Sequence, residues 1–234
     1  MSDLEDLSFK PEQFSGRARL FPLPNLVLFP HVMQPLHIFE PRYRAMLEDA
    51  VADDKLLALA ALAPGWEKDY EGRPPIDPVA CLARIATWRR LDDGRYNILV
   101  LGLRRVAVVR ELPPKQPFRV AEVAVLDDQY TTGAAGGRAG LQRRLVKAFR
   151  RVIPSLQEAQ EQLERMLEAD IDLGMLTDII SYALDLELRI KRQLLRECNV
   201  DRRAKLLVTH LANAATDSSP PQPKWPFPPE FSNN

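Results

Sequence analysis

The eight residues "HIFEPRYR", positions 37 to 44, place a base, an acid, two guanidinium groups and a phenol side by side. Side chains of these types can move a proton, hold an anion, or simply bind one another. As chemistry, the stretch would be an acid–base or anion site. As structure, Glu40 would sit at a helix N-terminus, where negative charge is favourable. One arginine would then pair with Glu40, and Tyr43 would anchor the helix. Acid, base and nucleophile cannot be told apart here, so the structural reading is preferred.

Other chemistry is sparse. The histidines are His31, His37 and His210, and the cysteines are Cys81 and Cys198. No two histidines stand at i, i+4 and neither cysteine has a CxxC partner, so no metal site is expected. His37 precedes Ile38 and Phe39 in an apolar run and reads as a satisfied core or edge histidine. Cys81, between Ala80 and Leu82, reads as core. No GxSxG nucleophile motif occurs. "FRVAEVAVLDDQYTTGAAGGRAGLQRRL" has the strand, glycine-rich loop and helix order of a phosphate cradle, but neither GxxxxGK(S/T) nor GxGxxG. No cofactor is expected.

Nucleic acid is the remaining candidate ligand. "QRRLVKAFRR" carries five basic residues in ten, but Glu158, Glu161, Glu164 and Glu168 follow in the same helical region. This is mixed helix-surface charge more than a phosphate track. An RNA-binding alternative would use a barrel surface together with this basic helical surface, and would be tested by reversing the charge at Arg143, Arg144 and Arg150.

The positioning elements fall into two halves. Before residue 130, short apolar runs alternate with turn signals, the mark of a barrel or sandwich. "LFPLPNLVLFP" suits edge strands and bends. "PVACLARIATWRRL" and "RYNILVLGL" flank the hairpin signal Asp93-Gly94, and "RRVAVVREL" and "FRVAEVAVL" follow as further short strands. In the last, Ala121, Val123 and Val125 alternate with Val120, Glu122 and Ala124. One helix interrupts them after Pro41, with Tyr43, Met46, Leu47, Ala50 and Val51 on one face.

"TTGAAGGRAG", residues 131–140, reads as a flexible linker. Helical periods follow: Leu141 to Ile153 with a break at Pro154, Leu156 to Leu167, Met175 to Leu184, a helix holding Leu188 and Leu195, and one holding Leu207, Val208, Leu211 and Ala212. The tail from 216 has six prolines between 220 and 231, with Trp225, Phe227 and Phe231 among them. It reads as disordered, as a segment docking on another protein through its aromatics, or as one folding back on its own domain.

Hydrophobic residues make up 46% and charged residues 27% of the 234, enough to bury a real core. With 32 basic and 32 acidic residues, no global field draws the chain to nucleic acid or an anionic membrane. The acidic N-terminus lacks a signal-peptide pattern. No apolar run approaches the roughly 18 residues of a membrane span. A soluble, cytoplasmic protein is expected.

The block "FPLPNLVLFPHVMQPLHIFEPRYRAML" resembles the opening signature of the N-terminal substrate-binding domain of the ATP-dependent Lon protease. "CLARI", "DDGRYNILVLGLRRVAVV" and "AEVAVLDD" resemble its later strands, and "DLGMLTDIISYALDLELRIKRQLL" and "NVDRRAKLL" its helices. The signature positions are Pro30, Glu40, Pro41, Arg42, Tyr43, Arg44, Gly94, Gly102 and Arg105. Ala80 stands where the family commonly has glycine. The resemblance implies an α+β fold, a PUA-like β pseudo-barrel followed by a C-terminal helical bundle.

The expected segments are an N-terminal extension (1–17), the β-domain (18–130), the linker (131–140), the bundle (141–215) and the proline-rich tail (216–234). The resemblance implies a non-catalytic module for exposed apolar or unfolded protein segments, with neither Lon's ATPase nor its Ser–Lys protease. Its partners would be client segments, a protease or a chaperone, and no membrane. No binding-surface residues are legible.

Overall fold

The computed structural model describes residues 9–152, 171–214 and 232–233. The chain forms two compact units, Met1–Asp127 with Trp225–Asn234, and Asp128–Lys224.

The first unit is built from β1 (Arg17–Leu23), β2 (Met33–Ile38), helix α1 (Pro41–Val51), β3 (Leu56–Ala61), β4 (Val79–Arg90), β5 (Tyr96–Glu111), β6 (Arg119–Leu126) and a two-residue β7 (Ser232–Asn233). The strand order β4-β3-β1-β6-β5, with β4 also paired to β5, closes a five-stranded barrel. β1 and β3 run parallel, and the other pairs of the ring are antiparallel. Inside, small side chains (Ala58, Ala60, Ala80, Ala121) alternate with larger ones (Leu20, Leu82, Leu103, Val106, Val123). A narrow ring needs that mixture to fill its interior without overpacking. Cys81 is fully buried, and no disulfide joins it to Cys198.

β5 is one sixteen-residue strand, not the two short strands its sequence suggested. β4 pairs along one side of it. The other side is shared: β2 pairs at residues 96–101 and β6 at 105–111. Between them the segment before β2 crosses at Gly102. The Gly102 carbonyl accepts from His31 N at 2.8 Å, and Gly102 N donates to the Val32 carbonyl at 2.9 Å. Gly102 is thus a crossing point within a strand rather than a break.

The β4–β5 hairpin turns where expected. Leu91 N bonds the Arg95 carbonyl, and Gly94 takes φ +80°. Glycine in the left-handed region at the third loop position is the usual solution for a three-residue hairpin loop. Along β6, Arg119, Ala121 and Val123 are buried while Val120 and Glu122 are only half-buried, as period two requires.

The second unit contains α2 (Ala135–Val152), α3 (Leu173–Ala183), α4 (Leu188–Arg196) and α5 (Val200–Ala214). The flexible linker expected over 131–140 is helical from Ala135 onward. Each helical glycine costs up to about 1 kcal/mol against alanine, so packing must outweigh composition. Leu141, Leu145, Val146, Phe149 and Val152 bury one stripe of α2, which packs against α5. Arg138 donates from Nε to Asp201 Oδ1 at 3.0 Å, and Asp201 Oδ2 also accepts from Thr131 N at 2.8 Å. These bonds fix the glycine-rich start of the helix. Burial alone would raise the Asp201 pKa, but the bonds from Arg138 and Thr131 outweigh it and hold the pKa below the usual carboxylate value. The break at Pro154, the stripe from Leu156 to Leu167 and the tail aromatics lie outside the described residues.

Candidate functional site

Helix α1 begins where β2 ends. Pro41 supplies the first helical residue, and the Glu40 carbonyl accepts from Tyr43 N at 3.0 Å and Arg44 N at 2.9 Å. The Glu40 carboxylate does not cap the helix. It is taken elsewhere: the Tyr70 hydroxyl donates to Oε1 at 2.6 Å and Arg42 Nε donates to Oε2 at 3.0 Å. Arg42 also donates to the Tyr70 carbonyl, and its guanidinium lies 4.7 Å from the Tyr43 ring centre and 4.9 Å from that of Tyr70. The acid, one cation and two phenols therefore do converge, with Tyr70 as the member that the local sequence did not announce.

Beside them is a cavity of about 240 Å³. Pro22, Pro74, Pro114, Pro117 and Phe118 form much of its wall, with Arg42, Arg73 and Arg119 at its polar side. Arg119 is buried, bonded to both carboxylate oxygens of Glu111 and, at 2.8 Å, to the Pro74 carbonyl. Arg73 reaches the same carboxylate at 2.8 Å. Burial alone would raise the Glu111 pKa, yet the hydrogen bonds from Arg119 and Arg73 outweigh it and hold the pKa below the ordinary value.

Arg42 and Arg119 are thus both held by carboxylates. Tyr43 is different. It is 6% exposed, its ring packs on Phe21 at 4.7 Å, and among the described residues nothing hydrogen-bonds its hydroxyl. Burial pushes its pKa well above the ordinary value. The cavity is smaller than the roughly 300–1,000 Å³ of small-molecule sites. It has room for about one side chain, and Tyr43 is part of its lining.

The Tyr70–Glu40 bond gives a direct test. Burial, the hydrogen bond to Glu40 and the charge of Glu40 together raise the Tyr70 pKa to about 12. A raised pKa favours the neutral phenol in the folded state. Its stabilisation is present below the free tyrosine value of about 10 and is lost as pH climbs toward the folded value. In a tyrosinate absorbance titration, Glu40→Gln is expected to bring one of the late-titrating phenols back toward its free value. An unchanged titration would show that Glu40 does not govern Tyr70.

The other signature residues lie apart from this cavity. Arg44 points to the β4–β5 turn, where a Cβ on Gly94 would come within 2.8 Å of Arg44 Nη2. Pro30 is buried in the turn before β2, followed by His31 at φ +66°. Arg105 is 2% exposed, at a β5 position opposite Cys81. Ala80 occupies an ordinary core position opposite Val106. His37 is held through Nδ1 to Asn97 Oδ1 at 2.7 Å.

Among the described residues, no three His, Cys, Asp or Glu side chains gather as a metal site, and no helix is long and apolar enough to cross a membrane. Sequence reasoning missed Tyr70, Arg73, Glu111 and Arg119. Only Arg119 left a signal, since its parity with Ala121 and Val123 places it on the inward face of β6.

A five-stranded barrel with one strand-capping helix and a separate helical unit is an α+β fold that known structures share. The N-terminal domain of the Mycobacterium avium complex Lon protease matches with a TM-score of 0.63 at 18% identity, over 84% of this chain and 98% of that one. The Lon N-terminal domain protein from Xanthomonas campestris matches at 0.56 and 22% identity, over 82% and 97%. The family model described as the ATP-dependent protease La (LON) substrate-binding domain matches residues 17–213, and the chain belongs to that family. The Lon protease of Anaeromyxobacter dehalogenans is 26% identical over 189 residues, and Lon protease 2 of Myxococcus xanthus is 28% identical over 189. Each match covers 81% of this chain but 22% of the relative's length.

Proposed function

We propose that this chain is a substrate-recognition module that holds exposed apolar or unfolded polypeptide segments and contributes no ATPase or peptidase activity of its own. The observation that carries the reading is membership of the Lon substrate-binding domain family across residues 17–213. The cavity beside α1 supports it, being sized for a side chain rather than a nucleotide or cofactor. A client, protease or chaperone is the kind of partner such a module would serve. The RNA-binding alternative has no supporting observation in the barrel or in the relatives.

The test is binding of a fluorescently labelled carboxymethylated protein, kept unfolded by its blocked cysteines, compared with the same protein in native form. Micromolar-range binding of the unfolded form alone is expected, as for a small transient interface. Equal binding of both forms, or ATP or peptide hydrolysis by the purified chain that survives removal of contaminating protease, would refute the reading.

A further inference from the structure

The strand β2 has one edge on β5 and one edge that faces away from the barrel sheet. An outer sheet edge offers backbone N–H and C=O groups to any extended chain, and proteins usually cover or blunt such edges. Here the cover is the C-terminal strand β7. It runs parallel to β2, with Ser232 opposite Leu36 and Asn233 opposite His37. The edge is also unusually apolar. Met33 is 44% exposed and Phe39, just beyond the strand, is 41% exposed, while the His37 ring stacks on Phe39 with centroids 6.2 Å apart. Met33 and His37 share one face of the strand, with buried Pro35 between them and Phe39 just past its end.

We infer that the outer edge of β2 is a strand-addition site for extended polypeptide bearing apolar side chains at alternate positions, and that the chain's own C-terminal residues are its resident, displaceable occupant. The inference rests on the substrate-recognition reading and gives it a place. Strand addition takes affinity from main-chain hydrogen bonds and selectivity from alternate side chains. An unfolded segment can supply both, whereas a folded protein keeps its backbone groups paired internally.

β7 is suited to yielding. Among the described residues it pairs at two positions, against the six residues of β2. Pro35 interrupts this edge, having no N–H and a carbonyl that accepts from Gln34 Nε2 at 2.8 Å, but a client strand running past it could pair at Met33 as well as at the two positions that β7 occupies. The tail then sets a threshold: it covers an aggregation-prone edge, and yields to segments that pair over a longer stretch.

The experiment uses the full chain and a full-length variant, Ser232→Pro with Asn233→Pro, which removes both tail N–H donors without shortening the protein. The probe is the labelled carboxymethylated protein. A site free only part of the time binds more weakly in proportion to its free fraction, so opening it is expected to tighten binding about three- to tenfold. Hydrogen exchange at the β2 amides that face away from β5, which alternate with those facing it, is expected to speed up in the variant and slow again when the probe is added.

Three results would overturn the inference while leaving substrate recognition standing. They are equal affinity in both proteins, tighter binding without renewed protection at those amides, and self-association of the variant through the exposed edge in place of probe binding at it. Absence of probe binding in both proteins would remove the substrate-recognition reading together with this one.

Discussion

Replacing Arg203 by methionine is expected to destabilise the helical unit by about 3–5 kcal/mol, the usual cost of removing one partner from a buried ion pair. Arg203 is fully buried. Its guanidinium donates from Nη1 and Nη2 to the two oxygens of Asp128 at 3.0 and 2.7 Å, and from Nε to Thr177 Oγ1 at 2.8 Å. It also lies 3.4 Å from Asp178 Oδ1 and bonds the carbonyls of Glu197 and Gly174. One side chain therefore joins the segment entering the unit, the start of α3 and the turn before α5.

Methionine fills similar volume but satisfies none of these acceptors. Asp178, 1% exposed, loses an ion-pair partner. The deficit should appear as a lower denaturant midpoint for the second unit. Adding Asp178→Asn should recover part of it, because a neutral amide loses less than a carboxylate when a guanidinium beside it is removed. A full-strength midpoint in the Arg203→Met protein would mean that the network contributes geometry and no net stability.

Arg203 also shows what a sequence can and cannot disclose. The last helix was expected to bury Leu207, Val208, Leu211 and Ala212. The structure instead buries Val200, Arg203, Ala204, Leu207 and Leu211, and leaves Ala212 exposed. The spacing i, i+3, i+4, i+7 puts Arg203 on the apolar stripe, but a charge is read by default as surface. The same default hid Arg119 on the inward face of β6.

Where local pattern decides, reading succeeded. Pro41 starts α1, its apolar face carries Tyr43, Met46, Leu47 and Ala50, and Gly94 turns the hairpin. Where topology decides, it failed. Tyr70 meets Glu40 across thirty residues, and Arg119 meets the Pro74 carbonyl across forty-five. No periodicity encodes either meeting. Composition misled once, at the glycines of 131–140, because the bonds that hold that helix come from Asp201 far along the chain.

Gly102→Ala is expected to be the most damaging single-methyl change in the barrel. A Cβ at position 102 would lie 2.1 Å from the Phe29 carbonyl oxygen and 2.9 Å from its carbon, with Cys81 Sγ at 3.2 Å. The nearest obstacles are backbone atoms, which cannot rotate away as a side chain can. Relief requires the crossing segment to lift, and that segment is pinned on both sides by the bonds of Gly102 to His31 and Val32. Overpacking of this kind typically costs about 1–3 kcal/mol and sometimes more, and the rigid surroundings place this site at the upper end.

Gly140→Ala is the matched control. It adds the same methyl on α2, where a Cβ would meet nothing within 4 Å, and helix propensity predicts a gain of up to about 1 kcal/mol. Thermal melts of the two variants should move in opposite directions. If Gly102→Ala melted with the parent protein, the crossing of residues 29–32 over β5 would have to be loose enough to accommodate a methyl group. The gap it fills between β2 and β6 would then be a tolerant seam, and glycine at that position would answer to something other than the close approach of Phe29.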